Sequence, residues 1–176
     1  MRRREFVTDS IPMRVATLAI DPVTTLPIVV LEDQAGIASA YVRVGANDAS
    51  AIAAELEEIE LLRPTTHRLM GKLLERAGAR IAAVELRANE DGARFGVIHV
   101  IASDGRRVRE EARSSDAIAL ALRAKAAIYV APSVIDRGSL DEELPREISR
   151  AALSPRDDEP LELAAAPAEA FGKWRM

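Results

Sequence analysis

The chain contains no cysteine. That removes thiol nucleophiles, thiolate zinc sites and disulfides together, and it accords with a reducing compartment. Aromatic residues make up 3% of the 176 positions. The core therefore has to be packed from Ala, Val, Ile and Leu, and the aromatic platform on which single-strand binders stack bases is missing. No apolar run approaches the roughly 18–20 residues of a membrane span, and Met1-Arg2-Arg3-Arg4 leads into no apolar signal core. The expectation is a soluble, cytoplasmic protein with no membrane partner. Lysine is scarce as well: Lys72, Lys125 and Lys173 are the three among 24 basic residues. The rest are arginines, whose planar fork suits phosphate and carboxylate. There is no Gly-rich phosphate loop, no His-Glu-x-x-His helix, no Ser nucleophile elbow and no histidine pair at metal-ligand spacing.

What is present is unevenly charged. The net charge is −4, yet residues 1–62 carry 5 basic and 10 acidic side chains, residues 63–130 carry 13 and 8, and residues 131–176 carry 6 and 10. A basic middle between acidic flanks fits either an Arg-rich solvated face or an anion-binding surface.

Hydrophobic periodicity divides the chain. An apolar run at residues 13–20, closed by Asp21-Pro22, a second from Leu26 to Leu31, and the alternation of Ala38, Ala40, Val42 and Val44 read as three strands. Asn47 or Asp48 can cap a helix from Ala49 to about Leu62, with Ile52, Leu56, Ile59 and Leu62 at helical spacing. Arg63-Pro64 interrupts it, because a residue before proline is pushed out of helical geometry. A second helix follows from Thr65 or Thr66 to Ala77, with Leu69, Met70, Leu73, Leu74 and Ala77 as its core face and Gly78 as its stop.

Strands then follow at Ile81–Ala88 and Phe95–Ala102, joined through Asn89-Glu90-Asp91-Gly92, and a more polar edge strand at Arg106–Glu111. Ser114 or Ser115 caps a third helix reaching about Lys125. It is apolar on nearly every side from Ala117 to Leu122 and so belongs in the core. Ala127–Ala131 closes the order as βββ-αα-βββ-α-β. The expected architecture is α+β, a mixed sheet of about six to seven strands with three main helices. One domain spans residues 1–137, and an acidic, Ala- and Pro-containing tail over residues 138–176, expected to be mobile, carries too little apolar surface to order itself strongly.

Two segments are polar where packing does not demand it: Arg63-Pro64-Thr65-Thr66-His67 and Arg113-Ser114-Ser115-Asp116. Each opens a helix, where free backbone N–H groups and the helix dipole favour an anion. His67 suits general acid or base work, and Asp116 can orient it or hold a divalent metal. Equally, His67 can flank an apolar helix face and Asp116 can be an ordinary first-turn capping acid. Arg63 and Arg113 suit phosphate, or they brace nearby carboxylates. His99 shares a strand face with Phe95, Val97 and Ile101 and reads as a core histidine, while Glu110 and Glu111 point to opposite faces, so only one of them can join Asp116.

Three stretches in register, Arg63-Pro64-Thr65-Thr66-His67-Arg68-Leu69, then Ser114 to Arg123, then Ala127-Ile128-Tyr129-Val130, resemble the successive signatures of the bifunctional nuclease domain family. The resemblance covers roughly 125 residues. It implies an α+β fold with a mixed sheet, hydrolysis of DNA and RNA, and one groove shared by Arg63, Thr66, His67, Arg113, Ser115, Asp116 and Arg123. His67 and Asp116 would be catalytic, the others would bind phosphate, and Mg²⁺ or Mn²⁺ would sit on Asp116. Two positions depart from the pattern: Arg68 stands where Asp is common, which removes a possible metal ligand and adds a cation suited to binding, and Ser114 stands where Pro is common. Two functions therefore enter the structural description: a nuclease acting on DNA or RNA phosphodiesters, and a non-catalytic module on the same fold that binds an anion, nucleic acid or protein. A homo-oligomer, a dimer in the simplest case, is expected, and the non-catalytic reading carries association through exposed sheet edges.

Overall fold

A computed structural model describes residues 9–21, 24–60 and 62–135. The expected tail lies outside the described residues. The elements are β1 (Ile11–Ile20), β2 (Pro27–Asp33), β3 (Ser39–Arg43), α1 (Ala46–Leu56), α2 (Thr66–Arg76), β4 (Arg80–Ala88), β5 (Arg94–Ile101), β6 (Arg107–Ala112), α3 (Ser114–Ala124) and β7 (Ala127–Val130). The seven strands form one mixed sheet in the order β3-β2-β1-β7-β4-β5-β6, and the α+β reading holds. Among the described residues no helix is long and apolar enough to cross a membrane.

The sheet is two antiparallel meanders joined by the four-residue β7. On one side β7 pairs antiparallel with the start of β1, Ile11 against Val130. On the other it runs parallel to β4, with Ala83 to Leu86 opposite Ala127 to Val130. β4 is thereby central, and Ala83, Val84, Glu85 and Leu86 are buried in succession rather than alternately, as expected of a strand covered on both faces. β6 is the polar edge strand. Glycines at positive φ close the tight connections, as at Gly92 (φ 80°), where the Asn89 side chain also accepts from the Ala93 N–H at 2.7 Å.

Helix α3 lies against the sheet, with Ala117 through Ala121 all buried, as its all-round apolar sequence requires. Its first turn sits on Gly96 of β5, where an added Cβ would fall 2.3 Å from the Ala117 Cβ. This close approach fixes where the start of α3 lies.

Three local readings are corrected. α1 begins at Ala46, capped by Gly45 with no side-chain bond, and ends at Leu56 rather than near Leu62. Glu55, Glu57, Glu58 and Glu60 gather where the helix dipole is negative, the last turn of the helix holds no basic residue of its own, and Glu58 turns the chain at φ 51°. Ile59 and Leu62 therefore lie outside the helix. α2 is capped by Thr65, whose hydroxyl accepts from the Arg68 N–H at 3.3 Å, but it buries no residue. Only Leu74 of its apolar residues packs on the core, and Leu69, Met70 and Leu73 are exposed. The helix leans on α3 by its His67, Gly71 and Leu74 side, so the expected core face points outward. α3, finally, is capped by Arg113, with no side-chain bond from Ser114 or Ser115.

Candidate active site

His67 is the second residue of α2 and Asp116 the third of α3. The packing of α2 on α3 brings these side chains together across 49 residues of sequence: His67 Nε2 lies 3.0 Å from Asp116 Oδ1. Asp116 is also gripped by its own N-cap residue. Arg113 donates from Nε to Asp116 Oδ2 at 2.8 Å and from Nη2 to Oδ1 at 3.0 Å, a two-point pairing that suits the planar guanidinium. Both Asp116 oxygens are thus engaged by side chains, and the start of α3 has no side-chain cap bond.

These contacts fix charge. The Arg113 hydrogen bonds hold the Asp116 carboxyl below the usual carboxylate range, assisted by His67 and opposed by burial. Arg113 is correspondingly held more firmly protonated, by Asp116 first and then by Asp48. A carboxylate only accepts, so the hydrogen between the two belongs to Nε2, and in the neutral imidazole the lone pair is left on Nδ1. His67 Nδ1 is buried and has no hydrogen-bond partner. Leaving such an atom unmatched costs on the order of 1–3 kcal/mol, so a ligand or water that donates to Nδ1 gains what the fold forgoes.

The pair opens on a cavity of about 590 Å³ between α1 and the starts of α2 and α3. Its walls include Asn47, Asp48, Thr65, Thr66, His67, Arg113 and Asp116. Of the expected site residues, Thr66, His67, Arg113 and Asp116 are thus brought together. Arg63 is exposed and is not part of the wall. Ser115 is buried and turned away from it. Arg123, two turns further along α3, lines a different cavity of about 440 Å³, with its stem across Gly71 of α2. Neither Glu110 nor Glu111 reaches the site; both are exposed on β6.

Asp48 was not singled out for chemistry in the sequence, where it resembled a cap for α1. Its carboxylate instead lies 3.7 Å from Arg113 Nη1. Arg68, expected to add a cation for binding, does not: its Nε donates to Glu55 Oε1 at 2.8 Å and its Nη2 to the Ile59 carbonyl at 2.7 Å, with both side chains largely buried. It ties α2 to the end of α1.

Mg²⁺ or Mn²⁺ at Asp116 fits this arrangement poorly. Such cations want an oxygen-rich shell of about six ligands, and Arg113 stands between the two carboxylates of the wall. Among the described residues no group of three or more His, Asp or Glu is placed to hold a metal. His99 is remote from the site. It is 1% exposed on the opposite face of the sheet from α3, 3.8 Å from Glu85, and burial, with the charge of Arg109, holds its pKa below the usual 6.5.

Comparison with known proteins matches the sequence to a family. The chain is 28% identical over 128 residues to the uncharacterized protein Rv1829 of Mycobacterium tuberculosis strain H37Rv, and equally to the uncharacterized protein MT1877 of strain CDC 1551; the match spans 73% of this chain and 76% of each relative. The family model described as "Bifunctional nuclease domain" matches residues 29–143, which include both helix starts and the whole cavity wall. With the model spanning well over half its length, the chain belongs to the bifunctional nuclease domain family.

Proposed function

We propose that the protein hydrolyses phosphodiester bonds of DNA or RNA, with His67 as general base and Asp116 as the residue that orients it. The observation that carries this reading is the His67–Asp116 pair at the joined starts of two helices, with Nδ1 as the one imidazole nitrogen not already bonded. In the reaction the cavity wall has to part far enough for a water molecule to reach the buried Nδ1, which takes its proton as the oxygen attacks phosphorus, and Asp116 stabilises the imidazolium that forms. The P–O bond to the leaving nucleoside breaks, and the leaving oxygen gains a proton, so the products are a phosphomonoester and an alcohol. Arg113, 70% exposed in its side chain despite its carboxylate partners, and the helix starts oppose the charge that builds on the phosphoryl oxygens. No step is routed through a metal.

The non-catalytic reading draws on a specific observation too. Arg113, the one Arg or Lys among the described wall residues, is already matched by Asp48 and Asp116, so the cavity holds no surplus positive charge while His67 is neutral. The two readings part in a cleavage assay on single-stranded DNA, duplex DNA and RNA, with Mg²⁺, with Mn²⁺ and with EDTA. Hydrolysis requires cleavage by the wild type that falls by about 10²–10⁴ in His67→Ala. Cleavage equal in the two proteins, or binding without cleavage, removes the hydrolytic proposal.

A further inference from the structure

Helix α2 has two apolar sides, and the second has nothing on it. Leu69, Met70 and Leu73 are 50%, 43% and 55% exposed, and the stripe continues beyond the helix start with Ile59 at 42% and Leu62 fully exposed. Scattered exposed apolar residues are ordinary on a protein surface. A contiguous stripe along a helix that buries no residue of its own is not, and it marks an interaction surface.

The charges around the stripe indicate what covers it. Toward the C-terminal end of α2 stand Lys72 and Arg76, and beside its N-terminal end stand Glu57 and Glu60, all exposed. None of these four has an ion-pair partner among the described residues. Arg68 holds the Ile59 carbonyl, which keeps the acidic segment beside the start of the helix. Two copies of α2 laid antiparallel about a two-fold axis would bring Lys72 and Arg76 of each against Glu57 and Glu60 of the other, with the leucines between. A surface that is basic at one end and acidic at the other is complementary to itself under that operation, as an isologous interface requires.

We propose that the protein forms a two-fold dimer through the outer face of α2, rather than through the sheet edges that the strand pattern alone suggests. The helix is about 16 Å long and about 10 Å wide, a minor part of the roughly 800 Å² per partner of a standard interface. The dimer is therefore concentration-dependent and draws in the 57–62 segment. It leaves His67 on the inward side of each α2, with Ile59 shared between the interface and the cavity wall.

Sedimentation velocity on the full chain over about a hundredfold range of concentration tests this. The wild type should pass from monomer to dimer. Leu69→Glu with Leu73→Glu should stay monomeric with an unchanged far-ultraviolet circular dichroism spectrum, both residues being exposed. Reversing the basic end, Lys72→Glu with Arg76→Glu, should weaken the dimer by tenfold or more, and adding Glu57→Lys with Glu60→Lys should restore it. A wild type that is monomeric throughout, a dimer that survives Leu69→Glu with Leu73→Glu, or a four-residue charge exchange that fails to restore association would each overturn the proposal. So would a monomer whose C-terminal segment becomes more protease-sensitive in the Leu69→Glu, Leu73→Glu protein, since that segment would then be the occupant.

Discussion

Replacing Gly96 with alanine isolates the contact that positions the site. The added Cβ would stand 2.3 Å from the Ala117 Cβ and 3.4 Å from the Arg113 carbonyl oxygen, whereas carbon atoms settle at about 3.5–4.0 Å. Neither neighbour is a flexible side-chain end, so the start of α3 must recede from β5 by about 1.2–1.7 Å to clear it. Overpacking of this kind costs about 1–3 kcal/mol. For the roughly 120 described residues, an unfolding entropy of about 2.1 cal/mol/K per residue makes 1 kcal/mol worth about 4 °C in Tm, so the variant should melt about 4–12 °C lower. The same displacement carries Arg113 and Asp116 off His67, stretching a 3.0 Å bond beyond hydrogen-bond range, and cleavage should fall by about 10². Gly71→Ala is the contrasting control. Its Cβ meets only the Arg123 stem, at 3.4 Å, and alanine is favoured inside a helix by about 1 kcal/mol, so Tm should hold or rise. A Gly96→Ala protein that melts and cleaves like the wild type would refute the seating of α3 on β5 and the geometry that depends on it.

Other outcomes follow from the same structure. Glu55→Ala strands the Arg68 guanidinium in a largely buried place and should lower stability by about 3–5 kcal/mol in urea unfolding, whereas Glu55→Leu with Arg68→Met should come close to the wild type. Because the Asp116 pKa is depressed in the fold, its contribution is full above the ordinary carboxylate pKa and is lost as pH falls through the depressed value. The stabilities of wild type and Asp116→Asn should therefore converge in acid. His99 is also held below its ordinary pKa, so its contribution is present above 6.5 and is lost on acidification in a separate, higher window; His99→Gln should remove pH dependence there and leave the acid limb. Ser114 is the first residue of α3, follows an extended Arg113, and carries a buried hydroxyl without a partner. Ser114→Pro should thus be tolerated, and it should raise stability by about 0.4–1 kcal/mol.

The order of elements was legible because each is locally consistent: alternation in β3, the Asn89–Gly92 turn, the all-apolar α3. So was the pairing of His67 with Asp116, since both lie at helix starts among polar residues that packing does not require. Three things were not. The end of α1 was hidden because Ile59 and Leu62 keep helical spacing beyond the point where four glutamates and the dipole end the helix. The outward face of α2 was hidden because periodicity reports that a stripe is apolar, not whether the same molecule covers it. The partners of Arg68 and the Asp48 contact of Arg113 were hidden because Glu55 and Asp48 come from α1, and only the tertiary fold decides whether an arginine meets a carboxylate or remains available to a phosphate.

The general-base role of His67 depends most on the state of its ring, which long-range proton–nitrogen NMR correlation reads directly. The chain has two histidines, so a His99→Gln sample assigns the signals. Above the pH at which His67 titrates, its hydrogen should reside on Nε2 and its lone pair on Nδ1, and Asp116→Asn should abolish that preference. A hydrogen on Nδ1, or a tautomer mixture unchanged by Asp116→Asn, would contradict the pairing of the two residues and, with it, the general-base role assigned to His67.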